Sequence, residues 1–182
     1  MRNVGLSFET QPARIDENVI QASLLADGVK PRDIADHLAE AKARKVSALY
    51  PDALVLGCDQ VLDFNGSILG KPDSPRTLFT LLQNMCGKHH SLFSAIVICE
   101  NGAPLWRHVE MVQMTMHDMS DVFLDDYIHR NWDSIRHAAG GYQIEQEGLR
   151  LFSRIEGDYF SVLGLPMIEL LSYLTVRGVL ER

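Results

Sequence analysis

Residues 54–72 read LVLGCDQVLDFNGSILGKP, an apolar run that stops at Cys58-Asp59-Gln60, resumes, turns at Asn65-Gly66 and closes on Gly70-Lys71-Pro72. Asn-Gly between two short alternating runs is the strongest local signal for a two-residue hairpin, because both turn residues must tolerate positive φ. That turn sets a register. Phe64 pairs with Ser67, Asp63 with Ile68, Leu62 with Leu69, Val61 with Gly70 and Gln60 with Lys71. In an ideal ladder Gln60 and Lys71 share a face and Asp59 points to the other, joining them only if the strand bends there. A surface hairpin with solvated ends would account for one acid and one lysine.

The 182 residues suffice for one domain, 1–182, burying roughly 70% of its unfolded surface. Hydrophobic and charged contents of 46% and 23% are those of an ordinary globular protein. A net charge of −7 would repel a phosphate backbone, so no general nucleic-acid binder is expected. Any phosphate must be caught locally. Three widely spaced cysteines, Cys58, Cys86 and Cys99, suggest neither a disulfide framework nor a zinc site. MRNVGLSFET lacks the apolar core of a signal peptide, and no run of about 18 apolar residues occurs. No membrane partner and a cytoplasmic location are expected.

Pro31 opens a helical segment whose stripe of Ile34, Leu38, Ala39, Val46 and Leu49 runs until Pro51. Lys42 sits inside that stripe, its ammonium either snorkelling or aimed at a buried anion. Ser74-Pro75 starts another helix with an apolar face of Leu78, Leu81, Leu82 and Met85, capped by Gly87. SLFSAIVIC (91–99) and PLWRHVEMVQMTMH (104–117) read as antiparallel strands around ENGA. A helix over 121–131, short strands at GGYQIE and LRLFSRI, and a last helix MIELLSYLTVR complete an α/β protein with a mixed twisted sheet and flanking helices.

Four features fall at strand or helix ends, where α/β sites usually sit: Asp16-Glu17, Lys42, Asp59-Gln60 with Lys71, and Glu145. Asp16-Glu17 reads most simply as an N-cap with a first-turn acid, and Glu145 as a solvated turn residue. His117, Asp121, Asp125 and His129 recur every four residues, as a metal-binding helix face or, more simply, as a solvated one. Adjacent His89 and His90 on a strand must face opposite ways and make poor joint ligands.

Taken in order and spacing, ARIDE (13–17), LAEAKA (38–43), LGCDQV…GSILGKP (56–72), GGYQIE (140–145) and IEGDYFSVLGLP (155–166) resemble the Maf family of nucleoside triphosphate pyrophosphatases over nearly the whole chain. The resemblance implies a Maf/ITPase-like architecture and hydrolysis of a nucleoside triphosphate to the monophosphate and pyrophosphate. By match, catalytic roles fall on Glu17, Lys42, Asp59 and Lys71. Contacts to substrate fall on Lys42, Lys71, Gln60 and Glu145. A divalent cation, Mg²⁺ or Mn²⁺, falls to Glu17, Asp59 and Glu145, whose oxygens suit a hard ion. A metal-activated water would attack the α-phosphorus, with Lys42 and Lys71 offsetting the charge on the phosphoryl oxygens. Gln60 after the strand acid, with Glu145, resembles the branch acting on 7-methylguanosine triphosphate. Proteins of the family are often homodimers, so a second copy is an expected partner.

The family also opens with a strand running into Ser-x-Ser-Pro-Arg-Arg. Here MRNVGLSF looks like the end of the following helix, with Gly5 as C-cap, so the first strand is expected to be missing. Loss of bidentate arginines would weaken phosphate binding. The alternative to an enzyme is therefore a weak or inactive nucleotide-binding or interaction module of the same fold.

Overall fold

The Asn65-Gly66 turn forms as its composition requires, with φ of 53° and 83°. It joins β1 (Val55–Phe64) to β2 (Ser67–Leu69) in antiparallel register, Leu62 opposite Leu69, Asp63 opposite Ile68 and Phe64 opposite Ser67. The ladder ends there. Gly70 and Lys71 leave the strand, so the expected Gln60–Lys71 pair does not extend it; instead the Gly70 carbonyl accepts from Gly140 N–H at 3.4 Å. A glycine followed by a lysine and a proline has little tendency to continue a strand.

The computed structural model describes residues 1–181 apart from the Asn3 side chain. Five strands lie in the order β2-β1-β3-β4-β5, with β3 at His89–Glu100, β4 at Ala103–Met116 and β5 at Phe152–Glu156. A second Asn-Gly turn, Asn101-Gly102, carries β3 into β4. The helices are α1 (Glu17–Ala26), α2 (Pro31–Ser47), α3 (Pro75–Met85), α4 (Asp121–Ile135), α5 (Tyr159–Val162) and α6 (Met167–Val176). Sheet and helices alternate along the chain, which gives the α/β class.

Several helix starts are written in single side chains. Asp16, Ser74, Ser120 and Asp158 each accept from the backbone N–H of the third residue of α1, α3, α4 and α5, satisfying donors a helix leaves unpaired. Gly5 caps the opening turn of Arg2–Val4 in the left-handed region, as expected.

Two compact units emerge. One comprises residues 1–59, 94–110 and 164 onward; the other comprises 60–93 and 111–163. In the first, Ile96, Ile98, Met167, Leu170 and Leu174 centre a buried cluster. In the second the core is larger, built on Leu62, Leu78, Leu82, Met114 and Tyr127.

GGYQIE does not form a strand. Gly140 and Gly141 adopt φ of 71° and 69°, values that extended backbone does not use. They make a tight turn against Leu62 and Leu78, leaving no room for a Cβ. Tyr142 then reaches the buried His90, ring nitrogen to hydroxyl 2.6 Å, while His89 is exposed, as strand alternation requires. Burial, with a small contribution from His89, lowers the His90 pKa to about 4. Residues 147–151 also coil into a 3-10 turn before β5 begins at Phe152. There Glu147 accepts from Arg130, Asn131 and Arg150 at 2.8 to 2.9 Å, and the Arg130 and Asn131 hydrogen bonds lower its pKa to about 2. His117 lies before α4, donating its N–H to the Leu151 carbonyl, so the four-residue repeat of His and Asp does not share one helix face.

In the first unit β1 packs tightly against α2. A Cβ built on Gly57 would lie 2.3 Å from the Ala39 carbonyl oxygen and 2.6 Å from the Ala43 nitrogen, both backbone atoms that cannot swing aside. Gly57→Ala should therefore cost about 3 kcal/mol by overpacking. Denaturant unfolding measures it; a loss under about 0.5 kcal/mol would show that the approach is not tight.

Candidate active site

The same close approach of α2 to β1 sets the position of Lys42. Helix α2 turns Ala35, Leu38, Ala39 and Ala43 inward, and Lys42, beside Ala43, reaches over the middle of β1. Its Nζ lies 2.6 Å from Asp59 Oδ1 and 3.0 Å from Glu17 Oε1. The lysine is thus aimed at an anion and does not snorkel.

Each partner is placed by its own local rule. Asp59 is two residues beyond Gly57 on β1, so the two share a face. Glu17 is the first residue of α1, and the Asp16 cap, 3.0 Å from Val19 N, fixes where that helix begins. Side-chain exposure grades outward: 9% for Asp59, 21% for Lys42 and 50% for Glu17. Asp59 is the nearly buried anchor. Burial alone would lower the Lys42 pKa, but the hydrogen bonds and charges of Asp59 and Glu17 outweigh it and raise the value. Lys42 is an ammonium at every physiological pH.

The remaining sequence candidates lie in the second unit. Gln60 alternates away from Asp59 and donates from Nε2 to the Ser161 and Val162 carbonyls, at 3.1 and 3.0 Å. It holds the short helix α5, whose start is capped by Asp158 through Ser161 N and Oγ at 2.8 and 2.9 Å. Lys71 and Glu145 are exposed, Lys71 beyond the end of β2 and Glu145 in the turn after Ile144. The structure brings together Glu17, Lys42 and Asp59.

One group was not anticipated from sequence. His108, Glu110 and Glu169 cluster within the first unit, with ligand atoms all within 4.8 Å of one another. Only the His108-x-Glu110 spacing on one strand face was visible along the chain; Glu169 arrives from α6. A groove of about 560 Å³ between α1 and the outer side of α2, lined by Ile15, Ile20, Leu24, His37 and Arg44, includes neither Lys42 nor Asp59. No helix among the described residues is long and apolar enough to cross a membrane.

Fold and cluster together define an α/β protein with an acid–lysine–acid group held by two helices and a strand. The family model described as Maf-like protein matches residues 1–177, and the chain belongs to that family. It is 58% identical over 182 residues to a nucleoside triphosphate pyrophosphatase of Roseobacter denitrificans, covering all of this chain and 92% of that one. A protein of the same name from Ruegeria pomeroyi is 55% identical over 181 residues, 91% of its length. A 7-methyl-GTP pyrophosphatase of Rhizobium meliloti is 42% identical over 181 residues, again 91% of its length.

Removing the ammonium should expose the electrostatics of the cluster. In Lys42→Met two carboxylates face each other, one of them nearly buried, and stability at pH 7 should fall by about 2 kcal/mol. Neutralising a carboxylate relieves that repulsion, so the gap between variant and parent should narrow in acid. In the parent, a lysine pKa raised above the unfolded value means that the stabilisation is complete below about 10.5 and is lost only as pH rises past it. Urea midpoints measured across pH test both limbs; a gap independent of pH would show that Lys42 does not balance Asp59.

Proposed function

We propose that this chain is a nucleoside triphosphate pyrophosphatase, a hydrolase of acid anhydrides acting on a nucleoside triphosphate, natural or modified, such as 7-methyl-GTP. The observation that carries the proposal is the convergence of Glu17 and Asp59 on the Lys42 ammonium, in a chain whose relatives bear that name. Hydrolysis adds water at the α-phosphorus and breaks the α–β anhydride, releasing a monophosphate and pyrophosphate. Asp59 is the proposed group that orients the water and accepts its proton. Lys42, together with Lys71, offsets charge spread over the phosphoryl oxygens.

Charge balance supports a divalent cation. Two carboxylates less one ammonium leave one negative charge, and a triphosphate brings about four more, a repulsion that Lys42 and Lys71 do not cancel. The donors fit such an ion: Glu17 and Asp59 offer hard oxygens around one cation-holding point, and Glu145 is the third proposed ligand. When bound, Mg²⁺ or Mn²⁺ supplies Lewis-acid neutralisation of the phosphates and activates water. A homodimer in the cytoplasm is the proposed setting.

Asp59→Asn is the direct test. An amide keeps the shape and a hydrogen bond to Lys42 but neither accepts a proton nor holds a metal. Pyrophosphate release should fall at least about 100-fold, with unfolding free energy changed by about 1 kcal/mol. Near-parental turnover would take Asp59 out of the mechanism. Nucleotide binding without turnover in the parent itself would favour a binding module of the same fold.

Substrate preference rests on Gln60 and Glu145. Gln60 spends its amide hydrogens on the Ser161 and Val162 carbonyls, so its proposed influence on the base runs through the position of α5. In competition, 7-methyl-GTP should be hydrolysed ahead of UTP and dTTP; a preference for the pyrimidine nucleotides would overturn the substrate assignment and leave the reaction class standing.

A further inference from the structure

Strand β4 and helix α6 each present one face to a site far in sequence from Asp59. On β4, Trp106, His108 and Glu110 alternate onto the same face. On α6, Glu169 and Tyr173 are four residues apart, one turn on the same side. Trp106 stacks on Tyr173 with centroids 4.7 Å apart and planes 15° from parallel, and His108 stacks on Trp106 at 6.2 Å and 11°. This aromatic wall holds the imidazole. His108 Nε2 lies 3.0 Å from Glu110 Oε2, and Glu169 completes a group whose ligand atoms all fall within 4.8 Å.

The unusual member is Glu169. Its Oε2 is buried and, among the described residues, has no hydrogen-bond partner. A buried carboxylate oxygen without a donor is costly and calls for a cation or a proton. All three residues are partly buried, beyond the reach of full hydration. From this geometry we propose that His108, Glu110 and Glu169 form a divalent transition-metal site, taking Zn²⁺ or a close relative such as Co²⁺ or Mn²⁺, with water completing the shell.

Ligand chemistry selects the class of ion. One imidazole nitrogen with two carboxylates suits first-row divalent ions, whereas Mg²⁺ and Ca²⁺ prefer all-oxygen shells. Bonds of about 2.0 to 2.2 Å put tetrahedral ligand atoms roughly 3.3 to 3.6 Å apart. The His108–Glu110 pair is already close to that spacing, and Glu169 presents a ligand atom within 4.8 Å of both. The site does not use Glu17, Lys42 or Asp59, so it stands or falls independently of the proposed hydrolysis.

Trp106 supplies a reporter. The other tryptophan, Trp132, lies on α4, and Trp132→Phe leaves Trp106 as the sole source of indole emission. Co²⁺ titrated into metal-stripped, full-length Trp132→Phe protein should quench that emission saturably with one ion per chain, and Zn²⁺ should compete while excess Mg²⁺ does not. Adding Glu169→Gln or His108→Gln should weaken binding by about tenfold or more; adding Asp59→Asn should not change it. Glu169→Gln replaces an unpartnered buried carboxylate with a neutral isostere, so the metal-free protein should melt no lower than its parent, and a cooperative melt certifies the fold. The proposal is overturned if Co²⁺ gives no quench up to about 1 mM, if Mg²⁺ competes as well as Zn²⁺, or if Glu169→Gln and His108→Gln both titrate like the parent.

Discussion

The close approach of α2 to β1 is the constraint on which the rest of the candidate active site depends. A helix normally stands off a sheet by the thickness of its side chains. At Gly57 there is no side chain, and opposite it Ala39 and Ala43 present the smallest ones available, so backbone nearly meets backbone. Lys42 sits next to Ala43 on that helix, and Asp59 two residues beyond Gly57 on that strand. Small residues at the contact therefore set the reach of a long one, and a four-carbon stem delivers its ammonium to 2.6 Å from the carboxylate. Dispersion and packing place the charges; electrostatics then holds them.

The charge arrangement is asymmetric. Asp59 is nearly buried while Glu17 stands half in solvent at the start of α1. An inner carboxylate is costly without a cation, so Lys42 is retained whatever else binds. The outer carboxylate gains less from the same ammonium because water screens it. It is the partner freer to exchange the lysine for another cation, which is the behaviour the proposed hydrolysis asks of a ligand at the mouth of a site. The Asp16 cap supports this by holding the first turn of α1 in place and leaving Glu17 to move about its own side-chain torsions.

Strand alternation divides two neighbouring residues between two tasks. Asp59 turns to Lys42, and Gln60 turns the other way to the carbonyls of α5. The sequence motif Asp-Gln thus combines a charge with a tie to a segment about 100 residues further on. His108-x-Glu110 on β4 shows the complementary use of the same period: two residues apart, both side chains fall on one face, where α6 supplies Glu169.

Much of this was legible in the chain itself. Asn65-Gly66 specified the hairpin and its first three pairs, because positive φ at two successive positions selects those residues. Asp16, Ser74 and Gly5 marked helix ends through single hydrogen bonds or a single left-handed residue, and the 3.6-residue stripes named the buried Ile34, Leu38 and Ala39 of α2 and Leu78, Leu82 and Met85 of α3, whereas Leu49, expected in the α2 stripe, lies exposed beyond the helix end at Ser47. Family motifs pointed to Glu17, Lys42 and Asp59, and the structure brings those three together. Tertiary structure alone decided other features. Gly140-Gly141 became a tight turn where a strand was expected, since two glycines can lie against Leu62 and Leu78 only at positive φ. The ladder stopped before Lys71, because pairing beyond Leu69 gave way to the Gly70–Gly140 contact. Glu169 met His108 across about 60 residues, and Gln60 met Val162 across about 100. Local preference is encoded by neighbours in sequence, but which distant side chain fills a missing contact is settled only when sheets and helices pack, and no spacing along the chain records it.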